Sequence, residues 1–417
     1  MQDTQAIRLI DKYLGSLLCF IMSILAKFKR KEKAAEIKNV LVLELFEMGA
    51  AVMAYPSIDY LNYHLEKPKI YALCLNRGKV VWELTKFIPK EHIFVIDEDT
   101  LFKFFKSLFK NILLLRKKKI DLILDFELFI RLTSIISFFI NPRLISGFHK
   151  YEMEGLYRGS YYDIKCAFNQ NTHISKNFLA LTKTALSKER HYPNFKGKVE
   201  SSELKCIKYQ RDESLKIKVI KKIEKCFPGF SKKNRIILIS PDVGRTLEVR
   251  NWPKENFVKT IKGILSKYED SLVLLSGVKE NQEICSFIEK KVNSERCINF
   301  CSKTETLREL IELMCEAELV ISNDNGNAHF PALTGTKTLA LFSTDSPFMY
   351  GPLGDCVILY SHFHCSPCIS AYNHKKTNCK NNLCLQAIKP EKVLFFVDKI
   401  LENSVEFRTI NNTVKYL

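Results

Sequence analysis

Apolar residues recur at steps of three or four from Ile7 through Ile10, Leu14, Leu17, Ile21 and Leu25 to Phe28, and that spacing predicts a helix with one apolar stripe. Its unbroken apolar part, Leu14 to Ala26, is too short for a hydrocarbon core that takes about 20 residues to cross, so no integral membrane protein is expected. A second stripe, Leu101, Phe104, Phe105, Leu108, Ile112 and Leu115, shares its segment with Lys103, Lys106, Lys110 and Lys117–Lys119. Basic amphipathic helices of this kind lie on anionic membranes; packing of both stripes on a core is the plainer alternative.

From Asn39 onward, short apolar runs alternate with helical patterns, the signature of βα units around a parallel sheet. Val40–Leu45, Ile70–Cys74, Ile93–Ile96 and Leu122–Leu124 read as strands, with helices over Val52–Leu65, Leu101–Arg116 and Leu128–Ile140. A polar stretch from Phe148 to Asn171, a helix to Ser187 and a basic connector from His191 to Arg211 follow. The alternation then restarts with strands at Ile236–Ser240, Leu272–Ser276, Cys297–Phe300, Leu319–Ser322 and Thr338–Phe342. The expected fold class is α/β: two doubly wound Rossmann-like domains facing a central cleft, preceded by an N-terminal amphipathic helix. The expected division is a membrane-associating helix and basic linker over 1–36, one domain over 37–211 and a second over 212–417.

Composition narrows the partners. A chain of 417 residues suits about two domains, and 46% hydrophobic with 26% charged residues is ordinary for globular proteins. The formal charge of +18 favours an anionic partner, although lysines scattered along the whole chain also fit a compositional bias. No groove-reading motif or aromatic-basic platform is present, so nucleic acid is not expected. The basic residues Lys27, Lys29, Arg30, Lys31 and Lys33 follow the apolar helix instead of preceding it, unlike a secretory signal. The fourteen cysteines are therefore read as reduced and the compartment as cytoplasmic.

In doubly wound sheets ligands sit beyond the carboxyl ends of the strands. Asp324-Asn325-Gly326 joins a strand to a helix, where backbone amides near Asn325 to Asn327 can receive a pyrophosphate and Gly326 permits close approach. Asp324 either accepts hydrogen bonds from sugar hydroxyls or caps the helix. Cys365-x2-Cys368-x10-Cys379-x4-Cys384, with His362, His364 and His374 nearby, has spacing compatible with a structural zinc or with a reduced, packed loop.

Three segments together resemble glycosyltransferase family 9, the heptosyltransferases of lipopolysaccharide core synthesis: Asn39 to Leu61; Ile237 to Gly244 followed by Arg250-Asn-Trp-Pro253; and Val320 to His329 with Leu339 to Pro347 behind it. The resemblance runs from about Asn39 to Lys399. It implies a GT-B fold whose N-terminal domain binds the acceptor and whose C-terminal domain binds a nucleotide-sugar, ADP-linked heptose being favoured. It implies inverting transfer without a required cofactor or metal, a lipid-linked glycan acceptor, and a place on the inner face of the cytoplasmic membrane. Arg250 stands where the family usually has Lys and would offset diphosphate charge. His329 matches the family's His, and Gly277 with Glu280 the turn that takes base and ribose. The family's Gly-Asp pair falls on Gly49-Ala50, so the usual general base is missing. Glu47, in the same turn, is the candidate replacement, with Glu44 weaker because it lies inside the strand. The Ala50 departure keeps a second reading open: a catalytically impaired GT-B protein retained for nucleotide-sugar or glycan binding at the membrane.

Overall fold

The computed structural model describes residues 4–28, 36–84, 87–149, 157–188, 195–206, 208–243, 245–370 and 377–405. The chain divides into two compact units, Met1–Leu204 and Lys205–Leu417. The first carries helices α1 (Thr4–Ile10) and α2 (Ser16–Ala26), then β1 (Asn39–Leu43), α3 (Met48–Met53), α4 (Tyr55–His64), β2 (Lys69–Leu75), α5 (Asn76–Leu84), β3 (Ile93–Ile96), α6 (Leu101–Lys117), β4 (Leu122–Asp125), α7 (Arg131–Ile140), β5 (Leu144–Phe148), β6 (Ile164–Cys166) and α8 (Ile174–Leu186). Its strands form one parallel six-stranded sheet in the order β3-β2-β1-β4-β5-β6.

The second unit begins with α9 (Glu213–Cys226) and β7 (Arg235–Ser240), continues through α10 (Lys254–Lys267), β8 (Ser271–Leu275), α11 (Gln282–Val292), β9 (Cys297–Asn299), α12 (Leu307–Glu316), β10 (Ala317–Asn323), α13 (Gly326–His329), α14 (Pro331–Thr334), β11 (Lys337–Phe342), α15 (Pro347–Tyr350), β12 (Cys356–Tyr360) and α16 (Leu383–Gln386), and ends with α17 (Pro390–Leu401). Its parallel sheet runs β12-β11-β10-β7-β8-β9. Central strands such as β1 and β10 are apolar and buried on both faces, as a sheet covered by helices on each side requires. The residues before α9 belong to this unit and not to the first: the Tyr209 amide bonds the Leu333 carbonyl at 2.8 Å and Arg211 pairs with Glu312 and Glu316. The boundary therefore lies at 204/205, ahead of the 211/212 division that composition suggests.

The N-terminal helix is fixed to the first unit, joined through a π-turn at Asp11–Gly15. The Asp11 carboxylate accepts the amides of Arg131 and Leu132 at 3.0–3.1 Å, capping α7. Gly15 lies where a Cβ would stand 2.8 Å from the Arg131 side chain. Met22 packs with Phe138, Ile145, Tyr161 and Tyr162, and Ser23 bonds the Ser160 amide at 2.8 Å. Ile7–Ala26, 20 residues, is long and apolar enough to cross a bilayer by length and composition, which the shorter run Leu14–Ala26 alone does not suggest. The basic linker residues 29–35 lie outside the described residues.

The inward side carries Asp11, Gly15, Cys19 and Met22; of the predicted apolar stripe, Ile10, Leu14, Leu17, Ile21, Leu25 and Phe28 face out and Ile7 is half-buried. Replacing Asp11 by Ala removes the cap of α7, and unfolding by urea should show a loss of about 1–2 kcal/mol; an unchanged midpoint would separate the helix from the stability of this unit.

Candidate active site

In the second sheet, β7 has β8 on one side and β10 on the other, so the switch point lies at the carboxyl ends of β7 and β10. Asn323, the last residue of β10, donates to the Pro241 carbonyl at 2.9 Å and accepts the Trp252 amide at 3.2 Å. The Trp252 indole in turn donates to the Ile388 carbonyl at 2.8 Å. These bonds fix the loop that carries Arg250. The guanidinium pairs with Asp345 through Nη2, lies 3.7 Å from Asp324 and donates from Nε to Thr344 at 3.3 Å. Asp324 follows β10 and Asp345 follows β11, and both are buried, so one cation is held between two carboxylates. That arrangement offers donors to a phosphate and acceptors to hydroxyls within one small region.

The surrounding residues differ in part from expectation. Asn325 caps α13 by accepting the Asn327 amide at 2.8 Å and donates to the Asp242 carbonyl at 3.1 Å. One amide of the expected pyrophosphate cradle is thus already occupied, and α13 is a single turn with little dipole. A Cβ on Gly326 would meet only the Phe330 ring, at 3.9 Å, so this side is open to a ligand. His329 is buried at the end of α13. Gly277 is explained by packing: a Cβ there would lie 2.8 Å from Asn281, whose side chain accepts the Val278 amide at 2.9 Å and donates to Asp242. Glu280 is exposed in the 3-10 turn Lys279–Asn281.

The first sheet has its switch point at the ends of β1 and β4. Glu44 is buried just beyond β1, while Glu47 is exposed at the N-cap of α3, with its amide 3.4 Å from the Glu44 carboxylate. Gly49 is half-buried and Ala50 buried in the first turn of α3. The sequence reading passes over Glu127, which lies two residues beyond β4 and accepts the Leu45 amide at 2.8 Å. Burial pushes its carboxyl up to about 7; the nearby charges of Asp125 and Glu47 add to the effect, and the Leu45 amide and Arg158 oppose it. Asp125 ends β4 and pairs with the fully buried Arg158, while accepting the Tyr162 hydroxyl at 2.6 Å. Gly147 makes that approach possible, because a Cβ there would stand 2.3 Å from the Tyr162 ring. The signal available for Glu127 was the Asp125-Phe-Glu127 pattern, which returns a carboxylate to one side of a strand end. Arg158 lies in a stretch with no periodicity to mark it.

Among the described residues the late cysteines are not gathered around one point: Cys365 and Cys379 are exposed, Cys384 is buried, and no three described His, Cys, Asp or Glu side chains come together to hold an ion. His374 and Gly244 lie outside the described residues.

Two parallel Rossmann-like units, each with polar side chains at its switch point, are the architecture of GT-B glycosyltransferases. A family model for glycosyltransferase family 9 (heptosyltransferase) matches residues 110–378, more than half of the chain, and the chain belongs to that family. It is 28% identical over 159 residues to lipooligosaccharide heptosyltransferase 2 of Campylobacter jejuni serotype O:2, an alignment covering 37% of this chain and 48% of the relative. To the enzyme of the same name from serotype O:6 it is 23% identical over 361 residues, 85% of this chain and 96% of the relative. The structure of E. coli ADP-heptose LPS heptosyltransferase II superimposes with a TM-score of 0.65 at 15% identity, covering 88% of this chain and 99% of that one. The protein is thus a glycosyltransferase of this family by sequence and shares the fold of that structure. The family match begins after the first turn, so the Glu47 to Ala50 region stands on its own geometry.

Glu127 provides a test of the buried cluster. Its folded value of about 7 lies above the ordinary 4.5, so the native state holds the proton more tightly and stability falls as pH rises through that window. Glu127→Gln keeps an acceptor for the Leu45 amide and removes the charge. Relative to wild type, it should gain on the order of 1–3 kcal/mol between pH 5 and pH 8 in urea unfolding; a pH-independent difference would place Glu127 at an ordinary carboxylate value.

Proposed function

We propose that the protein is an inverting, metal-independent heptosyltransferase that moves the sugar of an ADP-linked donor onto a lipopolysaccharide-core or related lipid-linked glycan, on the cytoplasmic face of the inner membrane. The observation that carries this reading is Arg250 between Asp324 and Asp345 at the strand ends of the second unit. The acceptor hydroxyl attacks the anomeric carbon, its proton passes to a carboxylate, and the bond from that carbon to the diphosphate breaks to release ADP. Negative charge accumulates on the diphosphate as it leaves, and the Arg250 guanidinium offsets it. Asp324 accepts hydrogen bonds from sugar hydroxyls, while Asn325 and the open side of Gly326 admit the diphosphate. His329, Gly277 and Glu280 shape the donor region around that centre, and Gly49 lies on the acceptor side. The names of the relatives support heptose and ADP, and family membership supports transfer as the reaction.

Glu47 is the proposed base because it is exposed at the first turn and is the carboxylate nearest in sequence to Ala50, where the family Asp is missing. Glu127 is a second assignment, favoured by its value of about 7, which is matched to taking a proton near neutral pH.

Calorimetry with ADP, UDP and GDP forms of nucleotide-sugars should detect selective binding of the ADP form, weakened at least tenfold in Asp324→Ala. No binding of any nucleotide would overturn the donor assignment, and binding without turnover would favour the impaired reading. For the base, Glu47→Gln should lower kcat by two or more orders of magnitude with donor binding retained. If Glu127 is the base instead, the rate of wild type falls as pH drops through about 7, and Glu127→Gln abolishes that acid limb while Glu47→Gln keeps it.

A further inference from the structure

We propose that α2, α6 and α7 together form one docking face for an anionic lipid surface, with the N-terminal helix lying in the membrane plane instead of crossing it. This refines the peripheral location proposed above and is read out without any transfer assay. Helices α6 and α7 cover one face of the first sheet, α6 through Phe104, Leu108 and Leu115 and α7 through Ile136 and Ile140. The N-terminal helix lies against α7, so the three are neighbours. Their outer surface is the unusual part. Of the twenty-five large apolar side chains that are exposed among the described residues, seventeen lie on α6, α7 and the segment 9–28. Leu17 and Phe20 on α2, Phe139 on α7, and Phe102, Phe105 and Phe109 on α6 are each 46–75% exposed. An apolar area of that extent on a soluble surface marks a docking site.

Charge selects the occupant. Residues 4–26, α6 and α7 contain a single acidic residue, Asp11, and it is turned inward against the start of α7. Lys103, Lys106, Lys110, Arg116 and Lys117 on α6 are all exposed, and among the described residues only Lys103 of these is in an ion pair, to Asp99. Arg8, Lys12 and Lys27 add cations along the N-terminal helix. Apolar side chains flanked by cations, with no acid turned outward within these helices, suit acyl chains beneath anionic headgroups. A crossing orientation would carry Asp11 and Ser23, with their polar partners on Arg131 and Ser160, into hydrocarbon. The same bonds hold the helix against α7 with its apolar stripe outward.

The test is flotation of the full chain with vesicles of phosphatidylglycerol or of phosphatidylcholine alone, with sedimentation velocity run on the free protein. Wild type should float with the anionic vesicles, bind the zwitterionic ones at least tenfold more weakly, and be released by alkaline carbonate. Leu17→Ser/Ile21→Ser and Phe105→Ser/Phe109→Ser should each lower partition about tenfold, and Lys106→Glu/Lys110→Glu should lower it on anionic vesicles only. Thermal melting and nucleotide binding of each variant establish that it is folded. Failure of wild type to float, resistance to carbonate, or α6 variants that float like wild type would each overturn the proposal. So would a stable dimer whose contacts are lost in both serine pairs and that does not bind lipid.

Discussion

In a parallel sheet every strand leaves by the same edge and must return across one face of the sheet, so two consequences are imposed together: helices cover both faces, and the turns that can differ chemically collect at the carboxyl edge. Where neighbouring crossovers depart to opposite sides, no helix blocks that edge. Both units obey this constraint. Arg250, Asp324 and Asp345 come from positions separated by up to 95 residues in sequence, yet all follow β7, β10 or β11. Glu44, Glu47 and Glu127 follow β1 or β4 in the same way.

Such edges need polar side chains that are held as well as present. In the first unit a buried Asp125–Arg158 pair is satisfied by Tyr162, Thr133 and the Ile130 carbonyl. Removing one partner of such a pair leaves an uncompensated buried charge, a loss on the order of 3–5 kcal/mol. Arg131 extends the network, donating to the Tyr157 and Phe129 carbonyls at 3.2 and 2.7 Å while its own amide is capped by Asp11. The N-terminal helix is therefore connected by polar contacts to the end of β4, close to Glu127.

In the second unit the arginine that would meet a diphosphate is already engaged by two carboxylates. Its guanidinium is pre-oriented, which lowers the cost of ordering it when a ligand binds. Asn323, Asn325, Asn327 and Asn281 position the surrounding turns through side-chain to backbone and side-chain to side-chain bonds. A donor can thus enter a frame that is largely formed, with Gly326 as its open side.

Strong periodic segments were legible from sequence because burial of a whole face imposes a repeat: β1, β4, β7, β10, β11 and α6 lie close to where alternation puts them. Short or weakly patterned elements, β5 with its internal Gly147, the three-residue β6, α5 with Gly78 near its start, and β12, were not marked by such a repeat. The strand-end motif around Asp324 was readable because a single local turn joins strand to helix. Asp345 as the partner of Arg250, Glu127 as the carboxylate raised to about 7, and Arg158 as its neighbour were not, since each depends on burial or on a contact between distant segments. The sequence alone determined that the N-terminal segment is an apolar helix. Only tertiary structure decided which side faces out, because Asp11, Gly15 and Ser23 find their partners on Arg131 and Ser160, more than 100 residues away.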